Sequence, residues 1–413
     1  MRSQFLEEEI FKMDDLSREE RRAIKKQKRA DRREQQLLQE MEDLEVQKEQ
    51  KAAEKEMESA ERELNKKVKK REKNKKRTAT EKTDSDLKSK KSKNEEHNSK
   101  SPVVGRSWTL SVAIPGSILD NAQSIQLRSY LAGQIGRALA VYNVDEIIIF
   151  DEEAKKFEEN RLSTDGDFQG IGRGSHCCVQ LGRILQYLEC PQYLRKYLFK
   201  KHKDLEYAGL CNPLDATHHL REDMYHEYRE GVIQNRPLSK NGGSYADCGL
   251  KNDVRLDREV PVGSRVTVKM LDDHTKDNEK HKKIRGVVVS PEEPRKAKGH
   301  YWGYNVRLAS SLSDAMTGHS SWEYDLMLGT SERGDIIDKV KLPRDSKHIL
   351  IVIGGVRGLE YSLEGDLNLT VKDPKDLFDY WLNVCPDQGS RTIRTEEAIL
   401  IILSSLRPKI FSK

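Results

Sequence analysis

No run of about 18 apolar residues occurs in the chain, so no membrane-spanning helix is expected, and the first segment lacks the apolar core of a secretory signal. The six cysteines (Cys177, Cys178, Cys190, Cys211, Cys248 and Cys385) include no Cys-x-x-Cys pair. That argues against a zinc knuckle and a disulfide framework, and for a reduced, intracellular setting. His218-His219 followed by His226 fits no metal-ligand spacing either. There is no Gly-Lys-Ser/Thr of a Walker loop and no Gly-x-Gly-x-x-Gly, so neither ATP nor a dinucleotide is favoured. Gly170 to Gly174 imitates a phosphate cradle, but no apolar strand directly precedes it, and it reads as a flexible loop.

Charge is abundant but uneven. Of 413 residues, the first 100 hold 30 Lys+Arg and 25 Asp+Glu, leaving 44 of each sign in the remainder. The net charge of +5 therefore resides in the tail, and the body is formally neutral. Residues 1–104 are nearly free of aromatics, and 17–64 lack Pro and Gly. They read as a disordered or helical charged segment whose apolar residues are too sparse for heptads. Two basic runs, Lys66 to Arg77 and Lys88 to Lys93, suit nuclear import or loose contact with phosphates.

From Arg106 the pattern becomes that of a folded domain. Trp108 to Ile114 predicts a strand closed by Pro115-Gly116; a helix follows from about Asn121 to Tyr142, and then a strand from Val144 to Phe150. Ile147-Ile148-Ile149 is apolar on both faces, as in a buried parallel sheet. Residues 153–174 read as a loop and Ser175 to Leu188 as a helix, so this part, 105–228, predicts a βαβ layer. From 229 to 322 short strands separated by turns (Val254–Leu256, Arg265–Met270, Arg285–Val289, Tyr301–Leu308) predict a small inserted β-barrel. Over 323–413 the α/β pattern resumes, with strands at Tyr324–Leu328 and Ile349–Ile353, a short helix at Asp376–Leu382 and a longer one at Thr395–Ser405.

Three loops in this last part stand where α/β proteins bind ligands: Gly329 to Gly334, Gly354 to Glu360, and Asn383 to Glu397. A Gly-Gly pair after a buried strand lets a ligand approach the backbone, although a lone pair more often marks a tight turn. In the third segment Thr395 is a good N-cap and Glu396-Glu397 suit a first helical turn. Capping does not account for Asn383, Pro386, Gln388 and Gly389 crowded upstream.

The string NVCPDQGSRTIRTEEA at 383–398 resembles the knot-and-helix signature of the SPOUT superfamily of RNA methyltransferases. IPGSILDNAQS (114–124), QLRSYLAGQI (126–135), LQYLECPQYLRKYLF (185–199) and GTSERG (329–334) make it similar to the animal, centromere-associated branch of that family, over about 106–408. The resemblance implies an α/β fold with a C-terminal trefoil knot, an inserted OB-like β-barrel, a homodimer and S-adenosylmethionine as methyl donor. It implies that Gly354, Gly355 and Gly358 admit the cofactor, that Asn383, Cys385, Pro386, Gln388, Gly389 and Ser390 wrap it, and that Thr392, Arg394 and Thr395 close the pocket, with Thr330 and Arg333 reaching the same site. The implied substrate is N3 of a uridine in large-subunit ribosomal RNA. Arg333 and Arg394 are the candidates for stabilising the developing anion and Glu396 for taking the proton.

For RNA contact the candidates are Lys269, Arg285, Tyr301, Trp302 and Arg307. With Arg295, Lys296, Lys298 and Tyr304 they interleave cations and aromatics, a composition suited to phosphate contact and base stacking. The same residues would equally fill and solvate a small barrel. The expected location is the nucleus or nucleolus. The alternative is a non-catalytic or dual-role dimer that binds RNA, chromatin or proteins of the spindle and kinetochore.

Overall fold

The computed structural model describes residues 105–153, 162–239, 242–272, 284–317 and 323–410. The expectations for the tail, its helix and its two basic runs lie outside these residues. In chain order the elements are β1 (Thr109–Pro115), α1 (Ile125–Val141), β2 (Glu146–Phe150), α2 (Arg173–Glu189), α3 (Gln192–Leu198), β3 (Tyr228–Ile233), β4 (Tyr245–Asp247), β5 (Val254–Arg255), β6 (Arg265–Met270), β7 (Gly286–Val289), α4 (Glu293–Lys298), β8 (Asn305–Ala309), α5 (Leu312–Met316), β9 (Leu326–Ile336), β10 (His348–Val352), α6 (Gly358–Glu364), β11 (Tyr380–Asn383) and α7 (Thr395–Ile410).

β11, β9, β10, β1, β2 and β8 form one sheet in that order, and every pairing in it is parallel. The period-2 side-chain alternation of a strand divides its residues between two cores. Leu110, Val112, Ile114, Ile147, Ile149, Ile349 and Ile351 face α1, α2 and α7. Ala113, Ile148, Phe150, Leu350 and Val352 face α5 and α6. This is why the isoleucine run of β2 is apolar throughout: helices cover both faces. Because the strands are parallel, the segments that leave their carboxyl ends gather along one edge of the sheet.

The second sheet, order β5-β4-β3-β6-β7, is antiparallel. Its outer strands meet again through a bridge between Arg255 and Arg285 and a 2.9 Å bond from Arg255 N–H to the Ile284 carbonyl. Its core holds Ile233, Ala246, Val254, Val266, Val268 and Met270.

Three sequence expectations are corrected. The segment expected as a barrel strand at Tyr301–Leu308 contributes β8 to the parallel sheet instead, paired with β2 from Glu146↔Asn305 to Phe150↔Ala309. The expected helix at Asp376–Leu382 is a short 3-10 turn, Pro374–Leu377, followed by β11; Phe378 and Trp381 stack on each other, ring centroids 5.6 Å apart, against Gly329 of β9, and large aromatics suit the pleated surface of a strand. Gly329–Gly334 is not a plain loop. It lies within β9, but the register jumps from Trp381↔Gly329 to Leu382↔Asp335, so 330–334 is looped out of the pairing with β11.

Candidate cofactor-binding edge of the parallel sheet

The looped-out segment, the turn after β10 and the segment after β11 converge on the carboxyl edge of the sheet and are tied to one another. The Thr330 hydroxyl donates to the Val352 carbonyl at 3.3 Å, joining the loop-out to the end of β10. The Asn383 amide donates to the Glu332 carbonyl at 2.8 Å, joining it to the stem of the third segment. Asn383 Oδ1 also accepts from Cys385 N–H at 3.0 Å, turning the chain as it leaves β11. At the far end of that segment the Thr395 hydroxyl donates to the Gly354 carbonyl at 3.4 Å.

The glycines have a packing reason in the fold itself. A Cβ on Gly354 would lie 2.9 Å from backbone atoms of Gly358 and Leu359, and one on Gly355 would lie 2.7 Å from Glu152 Oε1. The space a side chain would take is thus filled by the protein itself. Gly358 has φ of +75°, the left-handed region that favours glycine. Gly334 lets β9 and β11 touch, since its Cβ would lie 2.4 Å from Leu382.

Glu152, which the sequence reading missed, anchors this arrangement. It is buried at the end of β2 and accepts hydrogen bonds from Ser117 and from Ser362, the latter at 3.2 Å. Burial pushes its carboxyl above the usual range, against the two hydroxyls, with Asp151 adding to the rise and Arg357 opposing it. Next to it the Tyr361 hydroxyl donates to Glu153 at 2.9 Å. About 200 residues separate Glu152 from Gly355, so no local pattern links them; the parallel sheet does.

Between Cys385 and Arg394 the chain is held mainly by its own short bonds. Gln388 Nε2 donates to the Ser390 carbonyl at 3.0 Å, and the Ser390 hydroxyl to the Thr392 carbonyl at 2.9 Å. Pro386 is half-buried and Gly389 exposed, with nothing within 4 Å of where a Cβ would stand. Thr395 is not the N-cap of α7. Arg394 holds that place, its N–H bonded to Glu397 Oε2 at 3.0 Å, and Thr395 is the first helical residue. The Arg394 and Arg333 side chains are each 73% exposed, against loose partners, Glu396 at 3.8 Å and Glu360 at 3.4 Å. These cations can turn to an incoming anion at little cost, since exposed pairs contribute at most about 1 kcal/mol. The Glu396 side chain is 17% exposed.

The five residues expected to meet RNA are otherwise engaged. Tyr301 and Trp302 are buried; Trp302 Nε1 donates to Glu230 at 2.7 Å, and Thr217 donates to the Tyr301 carbonyl. Neither ring face is offered to a base. Arg307 bonds Glu146 at 3.1 Å and the carbonyls of Asp314 and Ala315 at 3.1 and 2.9 Å. Lys269 lies 3.4 Å from both Glu227 and Glu293, and Arg285 forms a two-pronged pair with Asp272. Of their neighbours, Arg295 caps the carbonyls of Arg106 and Trp108, Lys296 and Lys298 pair with Glu292 and Glu227, and Tyr304 bonds the Leu185 carbonyl. His218 and His219 both turn Nε2 to the Glu189 carbonyl, at 2.9 and 2.7 Å, and so are used in packing against Glu189; burial and His218 push His219 down to about 4.

The Thr330 and Ser390 hydroxyls and the Gln388 amide donate to backbone carbonyls, which leaves their oxygens as acceptors, while the exposed guanidiniums of Arg333 and Arg394 suit a ligand that carries a carboxylate. The comparisons with known proteins agree. A family model described as "Putative RNA methyltransferase" matches residues 109–406. A human 28S rRNA (uridine-N(3))-methyltransferase is 52% identical over 306 residues, 74% of this chain and 79% of that protein. Its mouse counterpart is also 52% identical over 306 residues, 74% of this chain and 77% of that protein. A Drosophila melanogaster protein of the same name is 51% identical over 309 residues, 73% of this chain and 62% of its own length.

Proposed function

Given that this chain belongs to the SPOUT-type RNA methyltransferase family, matched over residues 109–406, we propose that it methylates N3 of a uridine in large-subunit ribosomal RNA. Enzymes of this family take the methyl group from S-adenosylmethionine, which supplies an electrophilic carbon on a sulfonium. The observation that carries the reading is the tying of three ligand-facing segments at one sheet edge, through Thr330, Asn383 and Thr395.

In this reading the turn at Gly354–Gly358 and the segment from Asn383 to Thr392 hold the cofactor, and Thr395 fixes one against the other. Orientation of donor and acceptor supplies much of the rate, on the order of 7–11 kcal/mol. Uridine N3 must lose its proton as the new N–C bond forms. Arg333 and Arg394, exposed on either side of the site, stabilise the negative charge spreading onto the base oxygens. Glu396, 3.8 Å from Arg394, is the carboxylate placed to accept the proton.

The finer architecture belongs to the same proposal. A trefoil knot in the C-terminal part is supported by the clamped ends of the 384–394 segment. An OB-like barrel is supported by the bridge that returns β5 to β7. A homodimer is supported by exposed apolar residues on two packed helices, Ile125, Leu127 and Tyr130 of α1 and Leu400 of α7. A nuclear or nucleolar location rests on the basic runs of the tail, and spindle or kinetochore partners rest on the likeness to the animal protein also called centromere protein 32.

The test is transfer of a labelled methyl group to a 28S rRNA transcript, followed by nucleoside analysis. Label in 3-methyluridine is the expected result. No label above a heat-treated control, or label in another nucleoside, would refute the assignment.

A further inference from the structure

Around β6–β8 each cation expected to meet RNA has a carboxylate partner, loosely held at Lys269 and Arg285; cations with no such partner are more readily available to phosphates. They occur on another face. The end of α2, α3 and residues 199–206 enclose an open groove of about 600 Å³. Half-buried Tyr187 and Phe199 form its apolar wall, packed edge to face with centroids 5.3 Å apart. Lys196, Lys200, Lys201 and Lys203 are exposed on its rim. The Arg195 guanidinium lies 4.4 Å above the Tyr187 ring and bonds the carbonyls of Cys190 and Leu188, which fixes one side of the groove. Glu206 is the one carboxylate among the lining residues.

The basic run is a held presentation rather than a solvated tail. His202, Asp204 and Leu205 point inward. Asp204 is buried in an ion pair with Arg183. His202 sits between them, its Nδ1 accepting from Asp204 N–H at 3.1 Å, and Leu205 packs on the main core. Lys200, Lys201 and Lys203 are turned to solvent. They have no carboxylate partner among the described residues, whereas Lys196 lies 3.8 Å from Asp247. In a body that is formally neutral, such a cluster is a strong local field.

We propose that this groove binds the phosphate backbone of the RNA substrate, a proposal that rests on the RNA methyltransferase reading above. Ammonium groups on flexible stems suit phosphates as point charges and read no base. The groove then supplies affinity and register, while the sheet edge supplies the chemistry.

The test uses the full chain with Lys200, Lys201 and Lys203 all replaced by Ala, a fluorescein-labelled 28S rRNA transcript and anisotropy over a range of salt. The variant is expected to bind at least tenfold more weakly near physiological salt. Its log–log salt slope should be shallower by about 2, since each phosphate contact on a single strand contributes about 0.7. A control with Lys339, Lys341 and Lys347 replaced by Ala, equal in net charge, should change affinity far less. Amine-reactive footprinting of the wild type should show Lys200, Lys201 and Lys203 protected by the RNA. Wild-type affinity and slope in the triple variant, an equal loss in the control, or protection by polyglutamate but not by RNA would each overturn the groove. A wild type that binds no RNA at all would overturn the groove and the methyltransferase reading together; a triple variant that binds and methylates normally overturns the groove alone.

Discussion

At the carboxyl edge of the parallel sheet the arginines face solvent: Arg333 and Arg394 are each 73% exposed and weakly partnered. At the junction of the two sheets an arginine whose side chain is 30% exposed is tied tightly to buried carboxylates. Arg265 reaches Glu189 at 2.6 Å and Glu230 at 2.7 Å, and both carboxylates are buried, with Thr267 and Trp302 completing the bonds of Glu230. Burial disfavours a charged Glu189, but Arg265 and His218 more than offset it and hold its carboxyl well below the usual range. The two regions use the same residue types for opposite ends. In one, charge is consumed in joining secondary structure; in the other it is left available. Composition does not distinguish these cases; pairing and burial do.

Breaking the junction network should have the largest effect. Arg265→Ala leaves two buried carboxylates without their cation and should cost about 3–5 kcal/mol in chemical denaturation. The pH dependence has a definite sign. Because the Glu189 carboxyl titrates lower in the folded state, its stabilisation is present above the unfolded carboxylate range, about pH 4.3, and is lost as pH falls toward the folded value. The wild type should therefore lose stability in acid over that window, and Arg265→Ala should show a flatter profile there.

At the sheet edge, Gly355→Ala should act on both fold and function. Its Cβ would press on Glu152, 2.7 Å away, and the crowding should cost about 1–3 kcal/mol. Displacement of the turn should weaken S-adenosylmethionine binding at least tenfold by calorimetry. An alanine with normal affinity would show that the turn does not touch the cofactor.

Arg394→Lys should leave stability and sizing unchanged, since the side chain packs against little, but should lower methyl transfer to RNA at least tenfold. That is the scale of one charged hydrogen bond, about 1.5–3 kcal/mol, and lysine keeps the charge while losing the planar fork. Near-normal transfer would remove Arg394 from the site.

Glu152→Gln should have the smallest effect. Burial raises the Glu152 carboxyl in the folded state, so its contribution to stability is greatest below the unfolded range and falls as pH rises through the folded value. The glutamine variant has no such loss. The difference between variant and wild-type melting temperatures should therefore become more favourable to the variant from pH 5 to pH 8. A difference independent of pH would show that Glu152 is not perturbed.

The sheet strands were legible because their signals are local. Ile147–Ile149 announces burial on both faces, and Arg265–Met270 was read with the bounds it has in the structure. Asn305–Ala309 was assigned to the wrong sheet because strand character says nothing about the partner, which here lies in β2, over 150 residues away in sequence. The candidate segments at 329–334, 354–360 and 383–397 were visible as unusual strings. Their mutual ties were not, since each joins residues from different strands. The burial of Tyr301 and Trp302 was not legible for the same reason: Glu230, which accepts from Trp302, stands 72 residues away in sequence. Lys200 to Lys203 went unread as a surface because the run is short. Its character depends on His202 and Asp204 turning inward toward Arg183.

The most direct test of the account is calorimetric titration of the full-length protein with S-adenosylmethionine, beside the Gly355→Ala variant. The account predicts saturable binding by the wild type, one cofactor per chain, and at least tenfold weaker binding by the variant while circular dichroism shows both folded. A folded wild type that takes up neither S-adenosylmethionine nor its demethylated product at millimolar concentration would contradict it.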